Sequence, residues 1–454
     1  MLLRLRRRAM LFTSGGSWTA ALPRPVRTRL RWFWFDGAFA LGADSISITY
    51  LALYAVALGA SSAQVGLLNA LSSLSGALLL VPGAFLVERL GRRHRITLTS
   101  GIGMRLMLLF MALLPFFLQS QPAVYALLAL AAVSQGFANL GYPAWVSLTA
   151  DVVPLELRGR YFSSRSTANT FVSMVAAYIA GMIITQLGIP GGYQAAFFLA
   201  FLFGVGSSLS YSQIQDPAPP TPIPPAARSG NALQVLGSIT RHPAFLGFCI
   251  TSAIWNLSWN VAAPFFNIYL VRDLHATATQ VGLLTAASSL AGLPALRLFG
   301  PLADRWGPRR IVLLTGLLIP ILPFAWIIIT SPWHVLAINT ASGVLWAGYN
   351  LATFNLLLVA TPSAQRARYS AFYQIVIALS LAGGAAIGGW ATTFLGYKAA
   401  FAISGFGRLA GALLFARLVK EKAAPSLGAA TIRPDPALIS TAQQSPPGPP
   451  IPPG

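Results

Sequence analysis

Apolar residues run along this chain in long blocks rather than in alternation. A helix that crosses a bilayer needs about 20 mostly apolar residues. Blocks of that size predict helices near 33–58, 64–87, 96–118, 123–148, 166–187 and 193–213. After a break, more follow near 244–271, 278–299, 311–330, 333–360, 371–395 and 397–417. We number these spans 1 to 12; the pattern is six plus six. Runs such as LLFMALLPFF at 108–117 do not alternate, which excludes a membrane β-barrel, whose strands place every second residue toward lipid. The expected class is all-α integral membrane, with about twelve helices.

The break between the two sets, QDPAPPTPIPPAARSG at 215–230, is Pro-rich and polar. Such a segment cannot stay in lipid and reads as an extended linker. The chain end, SPPGPPIPPG, is a disordered tail on composition. The expected organisation is a basic tail (1–31), a six-helix half (32–214), a linker with an interfacial segment (215–242), a second half (243–420) and a Pro-rich tail (421–454). The opening MLLRLRRRAMLFTSGGSW is basic like a signal peptide. It lacks the 7–15 residue apolar core of one, so residues 1–31 read as a basic cytoplasmic tail, with a cleaved signal as the alternative.

Composition agrees with a lipid environment. The 454 residues are 55% hydrophobic and 9% charged, against about 25% charged in soluble domains. A net charge of +21 would suggest nucleic acid in a soluble chain. Here its distribution gives another reason. Twenty-six of the 31 Lys and Arg fall on tails and loops of one side, and cytoplasmic loops collect such residues. Both termini are therefore expected inside, in a bacterial inner membrane, with lipid and not nucleic acid as the surroundings. The single cysteine, Cys249, cannot form an internal disulfide and is expected to pack as a small hydrophobe.

The two sets of helices repeat each other. Residues 64–94 read QVGLLNALSSLSGALLLVPGAFLVERLGRRH, and 280–310 read QVGLLTAASSLAGLPALRLFGPLADRWGPRR, aligned without a gap 216 positions apart. Ser61 with Gln64, and Thr277 with Gln280, both fit a capping box at a helix start. Pro154–Tyr161 then parallels Pro362–Tyr369, and Tyr193–Phe197 parallels Tyr397–Phe401. An even number of spans per half gives both halves the same orientation, as in parallel repeats about an axis along the membrane normal.

The stretch GPLADRWGPRR at 300–310 resembles the signature of the major facilitator superfamily in its 8–9 loop: Gly300, Asp304, Arg305, Gly307, Arg309 and Arg310. The 2–3 loop is a looser copy, with Ala84 for the glycine and Glu88 for the aspartate, retaining Arg89, Gly91, Arg92 and Arg93. The resemblance covers residues 32–420 and implies two pseudo-symmetric six-helix halves. It also implies secondary transport of a small organic solute by alternating access, in a chain that works as a monomer without a cofactor. It places Glu88 near the start of span 11 and Asp304 near the start of span 5, as conformational-switch contacts. These residues also read as solvated topological anchors.

In the resembled fold, spans 1, 4, 7 and 10 line a central cavity. Polar residues on these spans recur at helical spacing: Gln135, Asn139 and Tyr142; Asn256, Asn260 and Asn267; Asn339, Ser342, Trp346, Asn350 and Thr353. Each fits a cavity lining, and each also fits a hydrogen bond to a neighbouring helix. Asp44, near the middle of span 1, is distinct, because a charge at that depth costs about 2.5–3.5 kcal/mol. It is the candidate substrate and proton-coupling group. Arg105 and Arg297 read as side chains that snorkel to the interface.

Other classes find little support. No Gly-Lys dipeptide exists for a phosphate loop. The four histidines are scattered with no metal-ligand spacing, so an enzyme is not expected. A non-transporting sensor on the same fold is the alternative. Drug/proton antiporters of the family carry an Arg where this chain has Ala132, and sugar porters carry an acidic Pro-Arg motif where it has YSQIQDPAPP. Neither subtype is indicated, and import against export stays open. One central charge points to neutral or cationic solutes.

Overall fold

The computed structural model describes residues 22–153, 158–214, 243–360 and 366–419, with Thr13, Gly16, Thr19 and Ala20. The linker at 215–242 and the tail at 421–454 lie outside the described residues, as does most of the N-terminal tail. Spans 1 to 6 are helices Arg24–Ala57, Ser62–Leu90, Arg93–Phe117, Ser120–Val152, Arg158–Leu187 and Gly191–Ser212. Span 7 is Pro243–Ala262, one 3-10 turn at Ala263–Phe265, then Phe266–Arg272. Span 8 is Ala278–Trp306, and span 9 is Pro308–Leu318 followed by Ile321–Ile328. Spans 10 to 12 are His334–Ala360, Arg366–Phe394 and Tyr397–Leu418. Ten of the described helices are long and apolar enough to cross a membrane, and the described residues form twelve spans in two six-helix halves.

Local chemistry sets the helix ends. Ser61 Oγ accepts from Gln64 N at 3.2 Å while Gln64 Oε1 accepts from Ser61 N at 2.9 Å. Thr277 and Gln280 repeat both bonds at the same distances. The motif glycines have a turn to make: Gly91 (φ 60) and Gly307 (φ 80) end spans 2 and 8 in a conformation costly for other residues. Breaks within spans follow proline, at Pro264 and Pro320, since each removes a backbone donor. Span 1 starts at Arg24, nine residues before its apolar block. At about 1.5 Å rise per residue its 34 residues overrun the hydrocarbon layer, so the basic first turns stand outside the lipid.

The halves meet along two seams, span 2 on span 11 and span 5 on span 8, and glycines make both. A Cβ on Gly66 would lie 2.5 Å from the Ala385 carbonyl oxygen and 2.8 Å from Gly389 Cα. On the other seam, a Cβ on Gly282 would lie 2.8 Å from the Ala177 oxygen, and one on Gly181 would lie 2.5 Å from the Ala278 oxygen. Gly66 and Gly282 occupy the same place in the repeat, 216 positions apart. Small residues let helix backbones touch in lipid, where no hydrophobic force drives them together.

Polar contacts lock the same end. Tyr50 Oη sits 2.9 Å from the Ala177 oxygen and 3.0 Å from the Ala278 oxygen, spanning both halves. Thr185 and Thr279 hydroxyls meet at 2.9 Å, and Asn267 Nδ2 donates to the Thr49 oxygen at 3.3 Å. All of these lie at the end opposite the 2–3 and 8–9 loops. The bundle is therefore sealed at that end, with its cavities on the loop side of the seal.

Candidate functional site

Three cavities are lined by polar residues of the spans. The first, about 320 Å³, is built only from the N-terminal half and is lined by Asp36, Asp44, Arg105, Tyr142 and Arg165. The second, about 600 Å³, is built only from the C-terminal half and is lined by Asn256, Trp259, Asn339, Trp346, Asn350 and Arg408. A smaller one, about 210 Å³, lies on the span 2–span 11 seam and holds Ser73, Gln135, Asn139 and Gln374. Gln374 borders both the seam cavity and the C-terminal lobe.

This arrangement refines the expected central cavity. The polar stripes of spans 4, 7 and 10 do reach open space, but they divide among separate lobes. Asp44 and Tyr142 face the N-terminal lobe, and Gln135 and Asn139 face the seam. Asn256, Asn339, Trp346 and Asn350 share the C-terminal lobe. Asn260 lines none of the three cavities; it is buried, and its Nδ2 donates to the Leu381 carbonyl oxygen at 2.7 Å. It joins span 7 to span 11. The repeat matches Asp44 and Asn260 in depth, yet their surroundings differ.

Two ion pairs shape the N-terminal lobe. Asp36 receives Ser207 Oγ at 2.8 Å, and Arg165 Nη2 lies 3.6 Å from its other oxygen. Both side chains of this pair are only 9% exposed. Arg165 is further fixed by Nε donating to the Phe33 oxygen at 3.0 Å and by stacking 4.2 Å above the Phe33 ring. Arg165 stands one residue before the apolar block of span 5, among the loop cations, and the fold turns it inward. Asp44 is held differently. Its only ion pair among the described residues is Arg105 Nη1 at 3.4 Å, and its side chain is 33% exposed. Arg105 does not snorkel; it is 7% exposed overall and faces the carboxylate. Arg297 is exposed, in keeping with a snorkelling side chain.

In the C-terminal lobe the walls are aromatic. Trp259 and Trp346 pack with ring centroids 5.3 Å apart, and Phe266 and Trp326 with centroids 4.8 Å apart. Trp255 is instead buried, stacked on Tyr349 at 4.7 Å. Cys249 is buried among apolar neighbours, as a small hydrophobe would be. Arg408, midway along span 12, is 2% exposed. A cation at that depth costs about 2.5–3.5 kcal/mol on insertion scales. The signal was visible as a charge inside an apolar run, but sequence could not say what it faced.

The loop motif anchors helix ends. Arg93 Nη1 donates to Asp151 Oδ2 at 2.5 Å and to Ser147 Oγ at 3.2 Å, tying span 3 to span 4. Its repeat counterpart Arg309 donates through Nε and Nη2 to the oxygens of Val419 and Ala416, at the end of span 12. A cation there complements the helix dipole. Arg89, Arg92, Arg305 and Arg310 are exposed. The side chains of Glu88 and Asp304, and their expected contacts, lie outside the described residues.

The profile of the Major Facilitator Superfamily matches residues 33–258 and 250–446. The chain belongs to the major facilitator superfamily. Among its relatives is the multidrug resistance protein MdtG of Serratia proteamaculans, 24% identical over 378 residues, covering 81% of this chain and 88% of that protein. The multi-drug resistance efflux pump PmrA of Streptococcus pneumoniae is 25% identical over 390 residues, covering 83% of this chain and 92% of the pump. Solved structures share the fold. The nucleoside transporter NupG aligns with a TM-score of 0.66 at 12% identity, over 86% of this chain and 99% of that one. A bacterial Spinster homologue in its inward-facing, unoccupied conformation aligns with a TM-score of 0.66 at 15% identity, over 88% and 96% of the two chains. This facilitator is a multi-pass membrane protein and a secondary transporter of a small-molecule solute.

Proposed function

We propose that this facilitator exports a small aromatic solute in exchange for protons, by alternating access, with Asp44 as the group that takes up and releases the proton. The observation that carries the reading is the unequal holding of two acids in one lobe. Asp36 is locked by Ser207 and Arg165 out of solvent. Asp44 has one long contact and a third of its side chain open to the cavity. A carboxylate that sees both water and a cation can exchange a proton for a solute contact, and Arg105 is placed to respond when it does. Export is supported by the likeness to the multi-drug resistance efflux pump PmrA, which the alignment covers over 92% of its length.

The test is flux in liposomes containing the purified chain, with ethidium and 1-naphthoate as probes and an imposed pH gradient. The gradient is expected to drive accumulation in the wild type, and Asp44→Asn is expected to bring gradient-driven accumulation to the level of empty liposomes. Flux indifferent to the gradient in the wild type, or unchanged coupling in Asp44→Asn, sinks the proposal.

The charge distribution supports both termini on the cytoplasmic side of a bacterial inner membrane. In that orientation the sealed end faces outward and the lobes face the cytoplasm, the side from which an exporter loads. Tags at 59–62 and at 91–94 are then labelled from opposite sides of intact cells. Labelling of both from one side would overturn the orientation.

A further inference from the structure

We infer that the C-terminal lobe is a recognition site for an aromatic monoanion, with Arg408 as the donor that receives its charged group. The inference rests on the reading above, that the solute passes through the lobes, and it names the solute's chemistry.

Arg408 is buried at mid-span, lines the 600 Å³ lobe and makes no ion pair among the described residues. Every other arginine buried among the described residues has a carboxylate: Arg93 has Asp151, Arg105 has Asp44 and Arg165 has Asp36. Arg408 instead places Nε and Nη2 on one neutral acceptor, Ser404 Oγ, at 3.1 and 2.8 Å. That hydroxyl has already given its own proton to the Ser258 oxygen at 2.6 Å. Two of the five guanidinium N–H groups thus meet an uncharged acceptor, and the cation is oriented without being neutralised. Buried charges are ordinarily paired, and the structure offers the partner's place to whatever enters the lobe.

The rest of the lobe selects the remainder of the solute. Trp259 with Trp346, and Phe266 with Trp326, form tilted aromatic pairs among the residues that line it. The size is typical of a pocket for a drug-sized molecule, about 300–1,000 Å³. One uncompensated cation matches one negative charge, so a monoanion fits better than a polyanion. This changes the expectation from the sequence, which pointed to neutral or cationic solutes because Asp44 was the one central charge in view.

A purely structural Arg408, bracing span 12 against span 7 through Ser404, would show no preference for solute charge. Binding to the purified full chain in nanodiscs, read by quenching of tryptophan fluorescence, separates the two. The probes are 1-naphthoate, 1-naphthamide and 1-naphthylmethylammonium, which share a ring and differ in charge. Wild type is expected to bind naphthoate on the order of tenfold more tightly than the amide, since hydrogen bonds to charged groups are roughly twice as strong as neutral ones. Arg408→Gln is expected to lose that preference while keeping its affinity for the amide, and Arg408→Lys to restore part of it. Equal binding of the three probes by wild type, no binding of naphthoate, or an intact preference in Arg408→Gln would overturn the inference. The wild-type series decides even if Arg408→Gln fails to fold. Binding is measured with no gradient, so loss of proton coupling in the flux assay and loss of charge preference here remain separate failures.

Discussion

Replacing Gly282 or Gly66 by alanine is expected to push this facilitator out of the state described here and to lower transport. An added Cβ at Gly282 would sit 2.7 Å from Tyr50 Oη and 2.8 Å from the Ala177 oxygen; at Gly66 it would sit 2.5 Å from the Ala385 oxygen. Backbone oxygens cannot turn aside as a flexible side chain can, so the two halves must separate at the seam. Overpacking of this kind costs about 1–3 kcal/mol, which shifts a two-state equilibrium roughly 5- to 150-fold. A state opened at this end would part these backbones and be spared the cost. Gly383→Ala is the control, because its Cβ would meet only Leu257 Cδ1 at 3.9 Å. A cysteine at Thr49, 3% exposed beneath the seal, reports the opening in a Cys249→Ser background. Its labelling by an impermeant maleimide from outside should rise in Gly66→Ala and Gly282→Ala and stay low in Gly383→Ala. Unchanged labelling and flux in both seam variants would mean that these glycines do not set the seal.

Removing Arg165 should be the most damaging single change to stability. Its partner Asp36 is a buried carboxylate whose remaining bond is to Ser207. Breaking a buried pair by deleting one member typically costs about 3–5 kcal/mol, because the other charge stays buried alone. Arg165→Ala is therefore expected to lower the thermal midpoint of the purified protein sharply. Asp36→Asn placed on top should recover much of the loss by removing the stranded charge. Arg105→Ala should cost less, since Asp44 keeps a third of its surface open to the cavity and water can take over. A double variant no more stable than Arg165→Ala would show that Arg165 acts through its packing on Phe33 rather than through charge.

Much of the architecture could be read from residue order. Apolar blocks of fixed length can satisfy their backbone in lipid only as helices, and the capping pairs Ser61/Gln64 and Thr277/Gln280 mark two of their starts. The repeat implied paired halves, and the seam glycines Gly66 and Gly282 fall on its 216-residue spacing. The cavity residues were legible as a set of polar positions, because polar groups in a membrane helix must face something other than lipid. What each one faces was not legible. Asn256 and Asn260 lie on one stripe of span 7, four residues apart, yet one borders a cavity and the other is spent on the Leu381 carbonyl.

The sequence by itself determined the class, the twelve helices, the doubling of a six-helix unit and the asymmetry of charge across the membrane. These follow from transfer energies and helical periodicity, which depend on neighbours along the chain. Only the tertiary structure decided which charges are matched: Asp36 with Arg165 from 129 positions away, Asp44 with Arg105 across 61, and Arg408 with no carboxylate among the described residues. Pairing depends on which helices touch and on how each is rotated. A turn of one residue swings a side chain by about 100°, given 3.6 residues per turn, and that rotation is set by packing among all twelve helices at once.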